Sequence, residues 1–429
     1  MGISFRRRRK VNWPLVGVVL LLLALGGAAL IQLKGLPAAA RDLPFMPKTP
    51  TPTPVPVDDG SILMALGDSL WQQGRLVDAA DAYQEATLAA AAGADLLTTI
   101  AEGYSQQDRL ADAAIKRYYA GQARSRAALA RARRARIFAI RGWNPAMTAQ
   151  AVEEARKAVE LDREDGEILA TLALAYDRDG KYDAAIQAAL AAVAKDGKNA
   201  EAHAYLAEAY ADKQPLDPRA KASARLAVQL DDMSAYAHRN LGYILETEGD
   251  YREAAAEYLK AIALAPNLAA LYLDLGRVYY VKLDRYEDAV AALRRAVDLD
   301  PLNPLAHTEL GRCYHSRSDF RLAEASLQRA TAVDPGYANA YAYLGWVYYF
   351  GLRQYDKAVP QLQKALELGR FSAGRMAEYS TELGWSLYFL NRCSEARPAF
   401  QKALDLLAGQ PDPNISTQAR NGLSACAGR

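Results

Sequence analysis

Cysteine is scarce and catalytic motifs are missing from this sequence of 429 residues. Its three cysteines, Cys313, Cys393 and Cys426, are too few for a disulfide framework, and no two of them form a Cys-x-x-Cys pair. The sequence contains no phosphate-binding GxxxxGK[ST] loop, no HExxH zinc motif, no GxSxG nucleophile elbow and no Rossmann glycine fingerprint. We therefore expect no enzymatic activity, no cofactor, no metal site and no small-molecule substrate.

Alternating runs of β-branched residues are also rare. Ala and Leu dominate instead, and hydrophobic residues make up 51% of the chain. This composition favours an all-α fold with a large buried surface. The formal net charge is only +2, which argues against a general attraction to nucleic acid, so no nucleic-acid partner is expected.

One uncharged apolar stretch lies near the start, at residues 11–33, directly after five basic residues at 6–10. A membrane-spanning helix needs about 20 such residues. Because most of the positive charge precedes the stretch, residues 1–10 are predicted to be cytoplasmic and the rest of the chain extracytoplasmic. The alternative is a secretory signal peptide cleaved near Ala40, which also exports the rest of the chain.

Proline recurs at nearly every second position in the segment KTPTPTPVPV, within residues 34–59. Such a run forms neither a helix nor the interior of a sheet and favours the extended polyproline II conformation. Residues 34–59 are therefore predicted to be a semi-rigid linker between the membrane segment and the remainder. This layout suits a bacterial cell envelope.

From about residue 60 onward, one pattern returns about every 34 residues. Its clearest copy is 235–268, in which Leu241-Gly242 belongs to a first helix, Ala254 and Ala261 belong to a second, and Pro266 follows it. Two copies carry one extra residue at the turn between their helices. The Leu-Gly pair recurs as Leu275-Gly276, Leu310-Gly311, Leu344-Gly345 and Leu383-Gly384.

These residues resemble the tetratricopeptide repeat, over about 350 residues. The resemblance implies a right-handed superhelical solenoid of about ten helix-turn-helix repeats at 60–411, followed by a capping helix at 412–429. Small residues let the paired helices cross closely, and each pair buries its apolar face against its neighbours. The copies are expected near 60–93, 94–131, 132–165, 166–199, 200–234, 235–268, 269–303, 304–337, 338–371 and 377–410, of which the second and third are degenerate.

The resemblance also implies that the first helices of the repeats line a concave groove. Arginine and aromatic residues dominate binding hot spots, so we expect the groove to bind protein or peptide partners through such residues. The alternative is that some of the rings pack inside the array. The predicted groove residues are an arginine series with two tyrosines, Arg239, Tyr243, Arg277, Tyr280 and Arg312, and an aromatic series, Trp346, Tyr349, Phe350, Trp385, Tyr388 and Phe389.

Histidines and arginines outside this groove are expected to be structural. His203, His238 and His307 share one repeat position, which predicts that they pack between helices, whereas His315 is a candidate groove residue. The arginine-rich segment 124–141 is expected to be a solvated face. Its alternative is binding of anionic lipid or wall polymer.

Cys393 and Cys426 are a candidate disulfide between the last repeat and the capping helix, because an exported chain permits oxidation. Cys313 is expected to be buried and unpaired.

The sequence therefore predicts a non-enzymatic, membrane-tethered scaffold for protein–protein interaction. The alternative is a permanent structural subunit of a larger membrane or envelope complex.

Overall fold

The computed structural model describes residues 60–106, 110–142, 145–369, 371–409 and 412–428. The predicted basic N-terminus, membrane segment 11–33 and linker 34–59 lie outside these residues. Among the helices that are described, none combines the length and the apolar character needed to cross a bilayer.

Every regular element of the described residues is helical. From α5 to α18 the helices form seven successive antiparallel hairpins, and α19 lies against α17 and α18. The helices are α1 (Ser61–Gln72), α2 (Leu76–Gln106), α3 (Leu110–Ile140), α4 (Pro145–Leu161), α5 (Gly166–Arg178), α6 (Tyr182–Lys195), α7 (Ala200–Lys213), α8 (Pro218–Leu230), α9 (Ala235–Glu248), α10 (Tyr251–Leu264), α11 (Ala269–Lys282), α12 (Tyr286–Leu299), α13 (Pro304–Ser316), α14 (Phe320–Val333), α15 (Ala338–Trp346, continued by a π-helical turn at Val347–Gly351), α16 (Tyr355–Leu368), α17 (Ala373–Phe389), α18 (Cys393–Leu406) and α19 (Pro413–Ala427).

Short polar side chains begin the first helix of several hairpins. Asn199 accepts a hydrogen bond from the backbone N–H of Ala202 at 2.9 Å, and Asn303 accepts one from Ala306 at 3.1 Å. These side chains satisfy N–H groups that have no partner within the helix. The same kind of cap therefore marks the start of successive repeats.

Each Leu-Gly pair lies where the two helices of a hairpin cross. A Cβ atom on Gly276 would lie 2.6 Å from Cγ of Leu293, and one on Gly384 would lie 2.5 Å from the Phe400 ring. Leu293 and Phe400 are fully buried. The geometry therefore agrees with the prediction that these positions are glycine because the two helices cross closely there.

The three histidines that share a repeat position are buried, and each reaches back to the preceding linker. Nε2 of His238 lies 3.0 Å from the carbonyl oxygen of Asp232, and Nε2 of His307 lies 3.0 Å from that of Pro301. His203 makes the same contact with Gly197 at 3.1 Å. These side chains fix the linker between hairpins onto the following helix.

Two helices of 31 residues, α2 and α3, depart from the regular repeat length. The boundaries expected at residues 93/94 and 131/132 fall inside these continuous helices rather than in linkers. No proline lies near either boundary, so neither helix is forced to end there. Helices α2 and α3 therefore form one long hairpin, and α4 packs against α3.

The N-terminal helices contact hairpins that lie far along the chain. The ring centroids of Trp71 and Tyr236 are 6.5 Å apart, and Asn267 donates a hydrogen bond to the backbone carbonyl of Gln72 at 3.1 Å. At the end of α3, Arg141 forms a two-pronged ion pair with Asp300 at 3.1 and 3.2 Å. Helices α1 to α3 therefore pack against the array between α9 and α12.

Candidate functional site

The predicted arginine series lies inside a network of carboxylates. Arg239 donates to Glu208 at 3.0 Å and to Asp274 at 2.8 Å, and its side chain is only 16% exposed. Arg312 donates to both oxygens of Glu309, at 2.8 and 2.9 Å. Each of these two guanidinium groups is therefore paired within the molecule, and a partner would have to compete with these ion pairs.

The tyrosines of that series join the same network. Tyr280 is buried and donates its hydroxyl hydrogen bond to Glu309 at 2.6 Å, while Tyr243 donates to Asp212. Arg277 is the exposed member of the series. Glu309 stands three residues before Arg312, and this i,i+3 spacing is a sequence signal that would have indicated their pairing. Asp274 has the same spacing from Arg277 but pairs with Arg239 instead.

A cavity of about 210 Å³ lies between the C-terminal end of α3 and the first helices of the hairpins. Arg239 and Arg277 line it together with Arg141, so part of the arginine series faces α3 rather than a partner. The hydroxyl groups of Tyr205 and Tyr236, which also line the cavity, have no hydrogen-bond partner among the described residues. The predicted groove is therefore partly occupied by the chain's own N-terminal helices.

The later arginines of the segment 124–141 are paired with carboxylates, whereas Arg124 is exposed. Arg133 binds Asp68 at 2.5 Å and Arg136 binds Glu201 at 2.8 Å, so both guanidinium groups are paired across helices. Arg131 and Arg134 both pair with Glu154 of α4, and Arg141 pairs with Asp300 as described above. The expectation of a solvated face is therefore wrong for these five arginines, whose partners lie between 20 and 159 residues away in the sequence.

The aromatic series forms a continuous line of rings along the C-terminal ends of α15 and α17. Tyr355, the first residue of α16, joins the two helices: its ring stacks on Phe389 at 4.5 Å between centroids and lies 6.0 Å from Tyr349. Sequence reasoning missed Tyr355, although a tyrosine also begins α10 and α12. We call this surface the aromatic ladder, which comprises Trp346, Tyr349, Phe350, Tyr355, Trp385, Tyr388 and Phe389.

Exposure differs along the aromatic ladder. Phe350 is 65% exposed and Phe389 is 47% exposed. Trp346 is half-buried and stacks on His315 at 3.9 Å, whereas Trp385 meets Phe400 edge-on at 5.4 Å. The tryptophans therefore fix the ladder to the core, while the phenylalanines are presented to solvent.

A π-helical turn sets the position of two ladder residues. One of the two copies with an extra residue accommodates it in Val347–Gly351, a π-helical turn that contains Tyr349 and Phe350. The amide of Leu352 donates to the carbonyl of Val347 at 2.9 Å across this turn. Such bulges are frequent at functional sites.

The capping helix is joined covalently to the last hairpin. A disulfide links Cys393, at the start of α18, to Cys426 in α19, and their Cα atoms are 5.3 Å apart. Cys313 is buried and free. Burial raises the pKa of the Cys313 thiol to about 11, so it stays protonated and unreactive at neutral pH.

Glu382, on α17 beneath the ladder, is the carboxylate that sequence reasoning overlooked. It is 9% exposed, and no donor among the described residues reaches its Oε2 atom. Burial and the nearby Glu378 carboxylate raise the pKa of Glu382 to about 8, against the opposing effect of Arg375.

Comparison with known proteins supports the repeat pattern. A model described as TPR repeat matches residues 280–317, and models described as tetratricopeptide repeat match residues 235–268, 57–95, 147–200, 316–373 and 347–411. These matches together cover more than half of the chain.

Among curated proteins, Hsp70-Hsp90 organizing protein 2 of Arabidopsis thaliana is 25% identical over 220 residues, which are 51% of this chain and 38% of that protein. The BBSome complex member BBS4 homolog of Drosophila melanogaster is 26% identical over 240 residues, which are 53% of this chain and 48% of that protein. The chain thus spans less than half the length of either relative.

Two solved structures share the fold over most of the chain. A chain of the APC/C hetero-tetramer Cut9-Hcn1 aligns with a TM-score of 0.56 at 16% identity, over 85% of this chain and 76% of that one. The human IFIT1 dimer with m7Gppp-AAAA aligns with a TM-score of 0.53 at 18% identity, over 82% and 90%. At such identities the likeness shows the fold alone. The all-helical hairpins and the family matches agree, and this chain belongs to the tetratricopeptide-repeat proteins.

Proposed function

We propose that this chain is a non-enzymatic scaffold that binds protein or peptide partners along the aromatic ladder. The observation that carries the proposal is the exposure of Phe350 and Phe389 within a connected line of rings. Exposed aromatic clusters of this kind mark interaction surfaces. The contact of apolar rings with water is unfavourable, and a bound partner removes it.

The C-terminal hairpins are favoured over the middle ones for physical reasons. In the middle hairpins Arg239 is satisfied by Glu208 and Asp274, and α3 lies against the same face. A partner there would have to replace existing ion pairs and displace a helix. At the ladder, Phe350 and Phe389 are already exposed. The name of one relative, Hsp70-Hsp90 organizing protein, describes a protein that brings other proteins together and is consistent with this role.

Full-length protein carrying Phe350→Ser and Phe389→Ser tests the proposal. Capture of partners from native membranes, quantified by mass spectrometry, is expected to fall at least about tenfold, because both exposed anchors are removed. The matched control is Leu259→Ser with Leu322→Ser, which removes two leucines of similar exposure away from the ladder. Equal capture by both double variants contradicts the ladder as the binding surface.

The same capture experiment separates the scaffold from the alternative function, a permanent structural subunit. A permanent structural subunit would retain one partner in fixed stoichiometry through detergent extraction, whereas a scaffold with exchanging clients would release them on dilution.

The proposal includes a membrane tether at residues 11–33, with the repeats on the extracytoplasmic side of a bacterial envelope. The sequence pattern of that segment supports it. The full-length protein is expected to stay in the membrane pellet after carbonate extraction and a variant lacking residues 1–33 to leave it. Recovery of both proteins in the soluble fraction, or signal-peptide cleavage near Ala40, contradicts the tether.

A further inference from the structure

Two hairpins carry nearly the same sequence around one buried carboxylate. Residues 309–312 read Glu-Leu-Gly-Arg in α13, and residues 382–385 read Glu-Leu-Gly-Trp in α17. The preceding hairpins match as well, with LGRVYY at 275–280 and LGWVYY at 344–349. Tyr349 therefore occupies the repeat position of Tyr280, and Trp385 occupies that of Arg312.

In α13 the carboxylate is fully satisfied. Glu309 accepts hydrogen bonds from Arg312 at 2.8 and 2.9 Å and from Tyr280 at 2.6 Å. The guanidinium group of Arg312 also lies over the rings of Tyr280, at 5.6 Å, and Tyr343, at 4.6 Å. One cation between a buried acid and two aromatic faces thus completes this arrangement.

In α17 the acid is Glu382, and the equivalent of Tyr280 is Tyr349, but Trp385 stands in place of Arg312. Oε2 of Glu382 lacks a described donor, and Trp385 stands at the position from which the guanidinium would come. Tyr349 and Glu382 hold the same repeat positions as Tyr280 and Glu309, and the charge of Glu382 adds to the effect of burial in raising the pKa of Tyr349. A buried carboxyl group without a partner costs stability, and such a cost is typical of a functional site.

We propose that Glu382, Tyr349 and Trp385 form a site for one guanidinium or ammonium group from a protein partner, which occupies the place that Arg312 fills in α13. This inference rests on the proposed function and defines the partner chemistry. The partner segment presents an arginine or lysine to Glu382 and apolar side chains to Phe350 and Phe389.

Arginine suits the site better than lysine. A planar guanidinium group donates to a carboxylate while lying flat on aromatic rings, and an ammonium group does not stack in this way. Asp or Glu on the partner is disfavoured, because Glu378 lies near Glu382 on the same helix. The expected motif is therefore a single arginine flanked by large apolar residues.

A short peptide pair tests the site directly. Full-length protein is titrated with acetyl-Leu-Arg-Leu-amide and with its citrulline counterpart, which has nearly the same shape and no charge. Binding is followed by the indole NMR signal of Trp385 at pH 8.5. We expect the arginine peptide to bind at least about tenfold more tightly, and Glu382→Gln to abolish that preference.

Glu378→Gln is the matched control, because Glu378 is a more exposed acid on the same helix and pairs with Arg375 at 3.1 Å. It is expected to leave the preference for arginine nearly unchanged. A thermal melt of each variant shows that the fold is retained.

The acidity of the site provides an independent readout. Because burial raises the pKa of Glu382 to about 8, arginine binding must release a proton below that pH, and affinity is expected to fall as the pH drops from 8.5 to 6.5. Three neighbouring groups interact electrostatically with Glu382: Glu378 and Arg375 on α17, and Tyr349 on the preceding hairpin. All three stay unchanged when Glu382→Gln is compared with the original protein.

Equal binding of the arginine and citrulline peptides, or an arginine preference that survives Glu382→Gln, overturns the proposal. If partner capture still depends on Phe350 and Phe389 in that case, the proposed function stands and only the cation site fails. If capture is also independent of those phenylalanines, both proposals fail.

Discussion

Glu208 and Asp177 show how neighbouring carboxylates acquire opposite ionisation. Burial opposes the charged form of both. Arg178 and Arg239 overcome this at Glu208 and lower its pKa to about 2, with Arg178 at 2.6 Å and Arg239 at 3.0 Å. At Asp177, burial together with the charge of Glu208 outweighs Arg178 and raises the pKa to about 8. Of these two carboxyl groups, Glu208 is therefore ionised and Asp177 is largely protonated at neutral pH.

Glu382 should affect stability in a pH-dependent way. Its pKa is raised from 4.5 to about 8, so the folded chain holds a proton that the unfolded chain loses as the pH rises through this window. Glu382 therefore lowers the free energy of unfolding increasingly between pH 4.5 and 8.

Glu382→Gln keeps the shape of the side chain and removes the titration. We expect it to raise the melting temperature by at least about 2 °C at pH 8.5 and to change it little at pH 5. Thermal unfolding at the two pH values measures the difference. A change of the same size at both would mean that the carboxyl group does not titrate in this window.

At the scale of the helical hairpin, α17 contains two glycines in contrasting surroundings. A Cβ atom on Gly384 would lie 2.5 Å from the fully buried ring of Phe400, whereas one on Gly374 would meet nothing within 4 Å. Helix propensity alone favours alanine at both positions by up to about 1 kcal/mol.

Gly384→Ala should therefore destabilise the protein by about 1 to 3 kcal/mol, because the added methyl group separates the crossing helices. Gly374→Ala should be neutral or slightly stabilising. Urea unfolding of the two variants measures the contrast. Equal effects would show that helix propensity, and not the crossing, sets the preference for glycine.

The spacing of small residues was sufficient to predict most of the hairpins. Gly276 and Leu293, or Gly384 and Phe400, lie within one repeat of each other, so a local pattern reports their contact. The same reasoning failed at α2 and α3. Their 31-residue helices run across the expected copy boundaries, and no proline interrupts either helix.

For the whole molecule, the contact of α1 to α3 with α9 to α12 is the feature that local patterns did not indicate. The ion pair between Arg141 and Asp300 stands at the end of this contact, with side chains only 9% and 13% exposed. Removing one partner of such a buried pair leaves an uncompensated charge, which commonly costs about 3 to 5 kcal/mol.

Arg141→Asp should place two carboxylates together and separate the N-terminal helices from the array. We expect a larger radius of gyration in small-angle X-ray scattering and faster hydrogen exchange in α1. The exchange of charges, Arg141→Asp with Asp300→Arg, is expected to restore part of the contact. Unchanged scattering in the single variant would mean that the apolar contacts around Trp71 and Tyr236 hold the helices without the ion pair.

The sequence by itself determined the repeating hairpins and the aromatic and arginine positions along their first helices, because these depend on residues within one or two repeats. Only the tertiary structure decided which of those positions are exposed and which are paired or packed within the chain. Arg133 meets Asp68 across 65 residues, and Asn267 meets Gln72 across 195. A charge in a sequence does not specify which distant carboxylate will pair with it, since that depends on how the whole array curves and which helices it brings together.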